Sequence, residues 1–205
     1  TKRYKRTTIA NPSHDPAPNL LQGDFEAEGM DEKWCADITY IPTQEGWLYL
    51  AVILDLFSRR IVGWAMDARM THQLVSTALE MALRQRQPAG PLIHHSDRGC
   101  QYTSVAFQEL LAENDITCSM SGQGNCYDNA AVESFFGTLK TELVNHAVYQ
   151  TRKAAMTDIF FYIEGFYNRT RRHTALDFLS PEAYEAAFVL YPSITSLDSV
   201  SINPG

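Results

Sequence analysis

Three acidic side chains stand where acids are uncommon. Asp37 interrupts the apolar run Trp34-Cys35-Ala36-Asp37-Ile38-Thr39-Tyr40-Ile41. A charge inside a buried strand needs a partner. Asp97 follows Leu92-Ile93-His94-His95-Ser96, at the carboxyl end of a short apolar stretch. Loops at such ends are where functional side chains gather. Glu133 begins the apolar face of a helical pattern, just ahead of Phe135 and Phe136. Each acid has an ordinary alternative: an exposed face or edge strand for Asp37, a turn before Gly99 for Asp97, and a charge favoured by the helix dipole for Glu133. Gathered together they would have a chemistry. Mg²⁺ takes near-octahedral oxygen ligation and keeps several waters, so one or two carboxylates per ion suffice. Two such ions about 3.5–4 Å apart activate an attacking oxygen and stabilise a leaving one in phosphoryl displacement. A phosphodiester offers no easy covalent handle, so positioning and charge stabilisation dominate.

The elements needed to bring these acids together can be read from the pattern. Runs 34–41, 47–57 and 60–67 are rich in β-branched and aromatic residues, with Pro-Thr-Gln-Glu-Gly and Ser58-Arg59 as turns. They predict three antiparallel strands. Alternation sets Cys35, Asp37 and Thr39 on one face, and Ala36, Ile38 and Tyr40 on the other. Leu74, Val75, Ala78, Leu79 and Ala82 recur at helical spacing from Thr71 to about Gln87. A short strand 92–95, a helix 104–113 capped by Ser104, and a strand 116–120 follow. A glycine-bearing loop leads to a long helix, 129–144, with Asp128 or Asn129 as its cap. Lys140 lies seven residues after Glu133, two turns along the same face. Residues 151–167 and 181–190 read as further helices, the last with Pro181 in its first turn. The order predicts an α/β protein with a mixed five-stranded sheet, three antiparallel strands then two parallel, flanked by helices. That is the order of the ribonuclease H-like fold.

The bulk properties suit one globular domain with a tail at each end. The chain has 205 residues, of which 45% are hydrophobic and 20% charged, so it is neither a polyelectrolyte nor short of core. No apolar run approaches the roughly 18 residues that cross a bilayer. Cys35, Cys100, Cys118 and Cys126 lack CxxC spacing, which disfavours a zinc site or a disulfide scaffold and suits a reducing cytoplasm. The net charge of −7 argues mildly against nucleic acid, but the cations are clustered. Lys2, Arg3, Lys5 and Arg6 form a basic arm; Arg59 and Arg60 share a turn; Arg169, Arg171 and Arg172 lie beside His173. Solvated surface charge is the ordinary alternative for each cluster. The boundaries expected are an arm at 1–30, with Leu20, Leu21 and Phe25 as a docking segment, a core at 31–190, and a tail at 191–205. The missing initial methionine suggests part of something longer.

Five blocks carry a resemblance: "WCADITYIPT", "LDLFSRRIVGWAM", "HHSDRGCQYTS", "SMSGQGNCYDNAAVESFFGTLKTEL" and "YNRTRRHTALDFLSPEAY". In this order they resemble bacterial transposases of the insertion sequence three family, whose core is similar to retroviral integrase. The resemblance covers about residues 34–188. The family signature is two aspartates and a glutamate, the last after 35 intervening residues; here 133 − 97 − 1 = 35. The resemblance implies that Asp37, Asp97 and Glu133 are catalytic and bind Mg²⁺, with Mn²⁺ able to substitute. It implies that Lys140 contacts DNA near the cleavage site. The activity implied is strand cleavage exposing a 3′-hydroxyl, followed by attack of that hydroxyl on another phosphodiester. Arg59, Arg60, Arg169, Arg171 and Arg172 are further candidates for phosphate contacts.

The family's upstream helix-turn-helix and coiled-coil segments are not seen in this sequence. Self-association is therefore expected of a longer protein, and specific recognition of DNA ends is expected to be poor here. Tyr102 and Tyr127 lie near the acids and would either stack on a distorted DNA end or simply pack. His94 and His95, adjacent on a strand, point to opposite faces and are ill placed to share a metal; a structural or substrate-orienting role is expected for one of them. A nuclease of the same fold that cleaves without joining, a non-catalytic DNA-binding module, and a small-molecule phosphatase stay open as alternatives.

Overall fold

The computed structural model describes residues 17–122 and 129–190. The basic arm, the loop containing Tyr127 and Cys126, and the tail 191–205 lie outside the described residues. The chain forms β1 (Lys33–Ile41), β2 (Leu48–Asp55), β3 (Ile61–Asp67), α1 (His72–Arg86), β4 (Leu92–Ser96), α2 (Val105–Glu113), β5 (Ile116–Met120), α3 (Ala130–Glu142), α4 (Arg152–Phe160) and α5 (Pro181–Leu190). The strands make one sheet in the order β3-β2-β1-β4-β5. β1 pairs antiparallel with β2, and β2 with β3. β1 pairs parallel with β4, and β4 with β5. The mixed sheet expected from the pattern is present, with β1 at its centre.

Period-two alternation along β1 and β2 splits the core into two halves. Cys35, Ile41, Leu48, Leu50, Val52 and Leu54 face α3 and α4, where they meet Val132, Phe135, Leu139 and Ile159. Trp34, Ala36, Ala51 and Ile53 face α1 and α2, where they meet Leu74, Ala78, Leu79 and Phe107. Asp37 lies opposite Val52 in an unbroken register, so it belongs to the α3 side. On the other side, Gly63 lets α1 lie close to β3: a Cβ there would collide with the Ala78 carbonyl.

The docking segment is seated at Leu21, which is 3% exposed within the α3-side core, with Phe25 packed against it; Leu20 is exposed. Ser104 caps α2 as expected, its hydroxyl accepting from the Phe107 amide at 3.3 Å. The expected single helix 151–167 differs. After Phe160 it widens into π turns over Phe161–Tyr167. These turns bury Tyr162, Ile163 and Tyr167 and deliver Asn168, whose side chain accepts from Ile61 N and donates to Ile61 O, both at 3.0 Å.

A buried ionic clasp holds α5 to the sheet. Glu185, 5% exposed, accepts from Ser58 Oγ at 2.8 Å, Arg60 at 2.6 Å and Arg86 at 2.9 Å. Arg86 also bonds Asp31 at 2.8 Å, and Asp55 accepts from the amides of Asp31 and Ser58.

Candidate active site

Asp37 and Asp97 stand level on neighbouring parallel strands. β1 and β4 pair Trp34 with His94 and Cys35 with His95, an offset of 94 − 34 = 60 residues. Asp37 and Asp97 keep that offset two residues further on, where β4 has just ended at Ser96. Adjacent strands run about 4.8 Å apart, so the two side chains emerge as neighbours. One oxygen of each is fixed by local backbone: Asp37 Oδ1 accepts from Ile38 N at 2.7 Å, and Asp97 Oδ1 from Gly99 N at 2.8 Å. Gly99 is required for the second bond, because a Cβ there would stand 2.8 Å from the Asp97 carboxylate.

Glu133 approaches from the first turn of α3, on its exposed side. Its charge is felt at Asp37. Burial is the main cause that pushes the Asp37 carboxyl up, to about 7; the Ile38 bond opposes it, the charges of Asp97 and Glu133 add to it, and Lys140 opposes it. Burial raises Asp97 as well. Lys140, on the same helix, has its ammonium 5.3 Å from the centroid of the Tyr40 ring.

The residue that fixes α3 against β1 is Asn129. Expected as a helix cap, it makes no side-chain capping bond. Its amide instead donates to the carbonyl of Ala36, next to Asp37, at 3.2 Å. Sequence alone does not distinguish a local cap from this contact across 93 residues.

The donor set suits a hard divalent cation: all three groups are carboxylates, and the raised protonation of Asp37 is what a nearby dication would relieve. Among the described residues, no three His, Cys, Asp or Glu side chains stand close enough to hold one ion. The acids share a field without forming a closed ligand shell.

Of the expected phosphate contacts, three converge. Arg59, Arg171 and Arg172 line a cavity of about 500 Å³ against the start of α3. Arg171 is also paired with Glu142 at 2.9 Å. Arg60 and Arg169 turn instead to α5: Arg60 to Glu185 at 2.6 Å and Glu182 at 3.5 Å, Arg169 to Glu182 at 3.5 Å.

The stacking role considered for Tyr102 does not survive. It is 2% exposed and packs against His94 and Phe107, because its apolar ring completes the α1 and α2 side of the core. His94 is wholly buried with it, and burial, then the charge of His95, pushes its pKa down to about 3, so it stays neutral. His95, on the opposite face, bonds Ser119 through Nδ1 at 2.8 Å.

Comparison with known proteins gives the family and the fold. Two integrase core domain models match, at residues 27–126 and 133–187. The insertion element IS600 uncharacterized 31 kDa protein of Shigella sonnei is 46% identical over 187 residues, which is 91% of this chain and 69% of that protein. The transposase InsF for insertion sequence IS3A of Escherichia coli K12 is 50% identical over 82% of this chain, which spans 58% of InsF. Two solved structures share the fold. The simian T-cell lymphotropic virus intasome, in complex with PP2A regulatory subunit B56 gamma, matches at 18% identity and TM-score 0.66, over 95% of this chain and 63% of that one. The HTLV-2 integrase catalytic core in complex with magnesium matches at 17% identity and TM-score 0.58, over 76% and 96%. The chain therefore belongs to the IS3 family of insertion-sequence transposases and carries its integrase-like, ribonuclease H-like catalytic domain. The family is one of polynucleotidyl transferases. No helix among the described residues is long and apolar enough to cross a membrane.

Proposed function

We propose that this chain cuts DNA at the ends of an insertion sequence and joins the exposed 3′-hydroxyl to a second phosphodiester. Asp37, Asp97 and Glu133 are the catalytic and metal-binding groups, with Mg²⁺ as the ion and Mn²⁺ as a substitute. The observation that carries this reading is electrostatic: Asp37, mid-strand in β1, feels the charges of both Asp97 and Glu133, from two other elements. Bound there, divalent ions would supply Lewis-acid activation of the attacking oxygen and stabilise the leaving one.

The protein's part is positioning. The parallel register of β1 and β4 sets the two aspartates side by side, and the Asn129 tether brings the first turn of α3 towards them. Glu133 completes the ligand set from that turn. Lys140, Arg59, Arg171 and Arg172 hold DNA phosphates without reading sequence, with Arg60 and Arg169 contributing charge from the rim. The core at 31–190 acts between an arm at 1–30 and a tail at 191–205. The longer protein self-associates on DNA in the bacterial cytoplasm.

The test uses a short duplex of an element end with Mg²⁺ or Mn²⁺. Nicked and strand-joined products are expected from the unaltered chain and from neither metal arm with Asp97→Asn. Equal product from both proteins would refute the assignment of Asp97. Nicking without any joined product would favour a nuclease of the same fold.

A further inference from the structure

Two aromatic side chains beside the candidate active site stand in solvent and take no part in the core. Tyr40 is 55% exposed and Trp47 is 49% exposed, although rings of this size ordinarily bury most of their surface. They meet edge to face, with centroids 4.9 Å apart and planes 75° from parallel. The Lys140 ammonium, 5.3 Å from the Tyr40 centroid, pairs with no acid among the described residues. The other two tryptophans are provided for: Trp34 donates its ring N–H to Asp31 at 3.0 Å, and Trp64 donates to Glu164 at 2.7 Å. Trp47 has no such acceptor among the described residues.

The pair is held in place from outside. Trp47 closes the turn between β1 and β2, where Gly46 takes φ +101°. Arg152, at the start of α4, donates through Nε to the Trp47 carbonyl at 3.0 Å and through its backbone amide to the Glu45 carboxylate at 2.8 Å. The Gln44 amide donates to the Tyr149 carbonyl at 2.9 Å. Glu45, the only acid in the turn 42–47, is thereby drawn to α4. β1 pairs with β4 only as far as Cys35, so the half that carries Asp37 and Tyr40 has no strand on that side. Lys140 reaches Tyr40 there from α3. Tyr40 lies three residues beyond Asp37, about 10 Å along the strand, or roughly three base steps of a duplex. Lys140 lies two turns beyond Glu133. The rings therefore border the acids along both elements.

We propose that Trp47, braced by Tyr40, is a stacking platform for one unpaired base of a DNA strand whose neighbouring phosphate lies on Lys140. The inference rests on the DNA reading above and deepens it, naming an unpaired strand beside the cut as the ligand. Open aromatic faces next to a cation are the combination that binds single strands, whereas the bases of a duplex are already stacked on one another. A ring fixed in advance loses little freedom on binding. Stacking tolerates any base, so the platform would hold a frayed end without choosing sequence.

Fluorescence anisotropy on the full chain tests it with three probes: a blunt duplex, the same duplex with a short single-stranded overhang, and that overhang made abasic. The overhang is expected to raise affinity about tenfold, and removal of its bases to return affinity to the blunt value. Trp47→Ala should bring the ratio of overhang to blunt affinity close to one, and Trp47→Phe, which keeps a ring, should retain most of it. Phe161→Ala removes an exposed ring beside Trp64, on the β3 edge of the sheet, and should leave the ratio unchanged. Equal affinity for blunt and overhang probes would overturn the platform and leave the DNA reading standing. An abasic overhang that binds as tightly as the intact one would also overturn it. So would a Trp47→Ala variant that keeps the ratio but loses self-association in sedimentation, because the rings would then belong to an interface between copies. Failure to bind any of the three probes would remove the DNA reading along with the platform.

Discussion

The side chain of Asn129 donates to the backbone carbonyl of Ala36 at 3.2 Å, joining the start of α3 to the strand residue beside Asp37. That bond ties the start of the helix that carries Glu133 to the strand that carries Asp37. Asn129 is 7% exposed, so the bond is protected from water. Asn129→Ala should cost about 1 kcal/mol of stability in urea denaturation, the usual net worth of one hydrogen bond. Its effect on strand cleavage should be larger, at least tenfold, because a misplacement of about 1 Å at a reacting centre is expensive. Duplex affinity should change little. Loss of stability without loss of cleavage would show that the tether is only a structural bond.

Gly99 offers a second handle on geometry. Its amide holds Asp97 Oδ1 at 2.8 Å, and an added Cβ would crowd both that oxygen and the Gln101 amide. Gly99→Ala should therefore slow cleavage by an order of magnitude or more with the fold retained. Gly90→Ala is the control, since a Cβ there meets nothing within 4 Å. Nicking rates of the two variants, with circular dichroism to confirm folding, decide it.

The raised carboxyl of Asp37 has a definite sign in stability. Its folded pKa, about 7, lies above the ordinary value of 3.8, so the folded state holds the proton more tightly than the unfolded chain. Without metal, stability should fall as pH rises from about 4 to about 7 and then level off. Asp55, raised to about 6 mainly by burial, contributes in the same direction. Asp37→Asn should remove only the Asp37 share, so the variant should melt higher than the parent at pH 8 and nearly equal to it at pH 4. Added Mg²⁺ should raise the melting temperature of the parent at pH 8 and not that of Asp37→Asn.

Much of this geometry was legible in the sequence because it follows short-period rules. Alternation in Trp34–Ile41 correctly put Asp37 with Cys35 and Thr39, and helical spacing found α1 and the Ser104 cap. The failures share a cause: they involve partners distant in the chain. Asn129 reads, alongside Asp128, as a candidate cap, yet its partner is on β1. For Tyr102 local pattern leaves stacking and packing both open, and the rings of His94 and Phe107 decide for packing. Arg60 reads as a free cation because Glu185 lies 125 residues away. Nothing in local pattern separates Arg60 from its neighbour Arg59, which turns to the cavity instead.

The clasp around Glu185 yields a stability prediction. It accepts from Ser58, Arg60 and Arg86, and Arg86 is only 11% exposed at its side chain. Removing one partner of a buried ion pair leaves a charge uncompensated, at a cost of about 3–5 kcal/mol. Glu185→Ala should approach that loss in urea denaturation, and Glu185→Gln should lose less. A loss below about 1 kcal/mol would mean that α5 is held by apolar contacts such as Phe57 on Phe188 rather than by the clasp.

The central claim is that Asp37, Asp97 and Glu133 serve one metal-dependent centre. Crystals of the chain soaked in Mn²⁺ and measured for anomalous scattering test it directly. A manganese peak within about 2.3 Å of carboxylate oxygens from Asp37 and Asp97, with Glu133 turned towards the same ion or its neighbour, is the predicted result. Manganese bound elsewhere, with the three acids left apart at saturating metal and DNA, would contradict it.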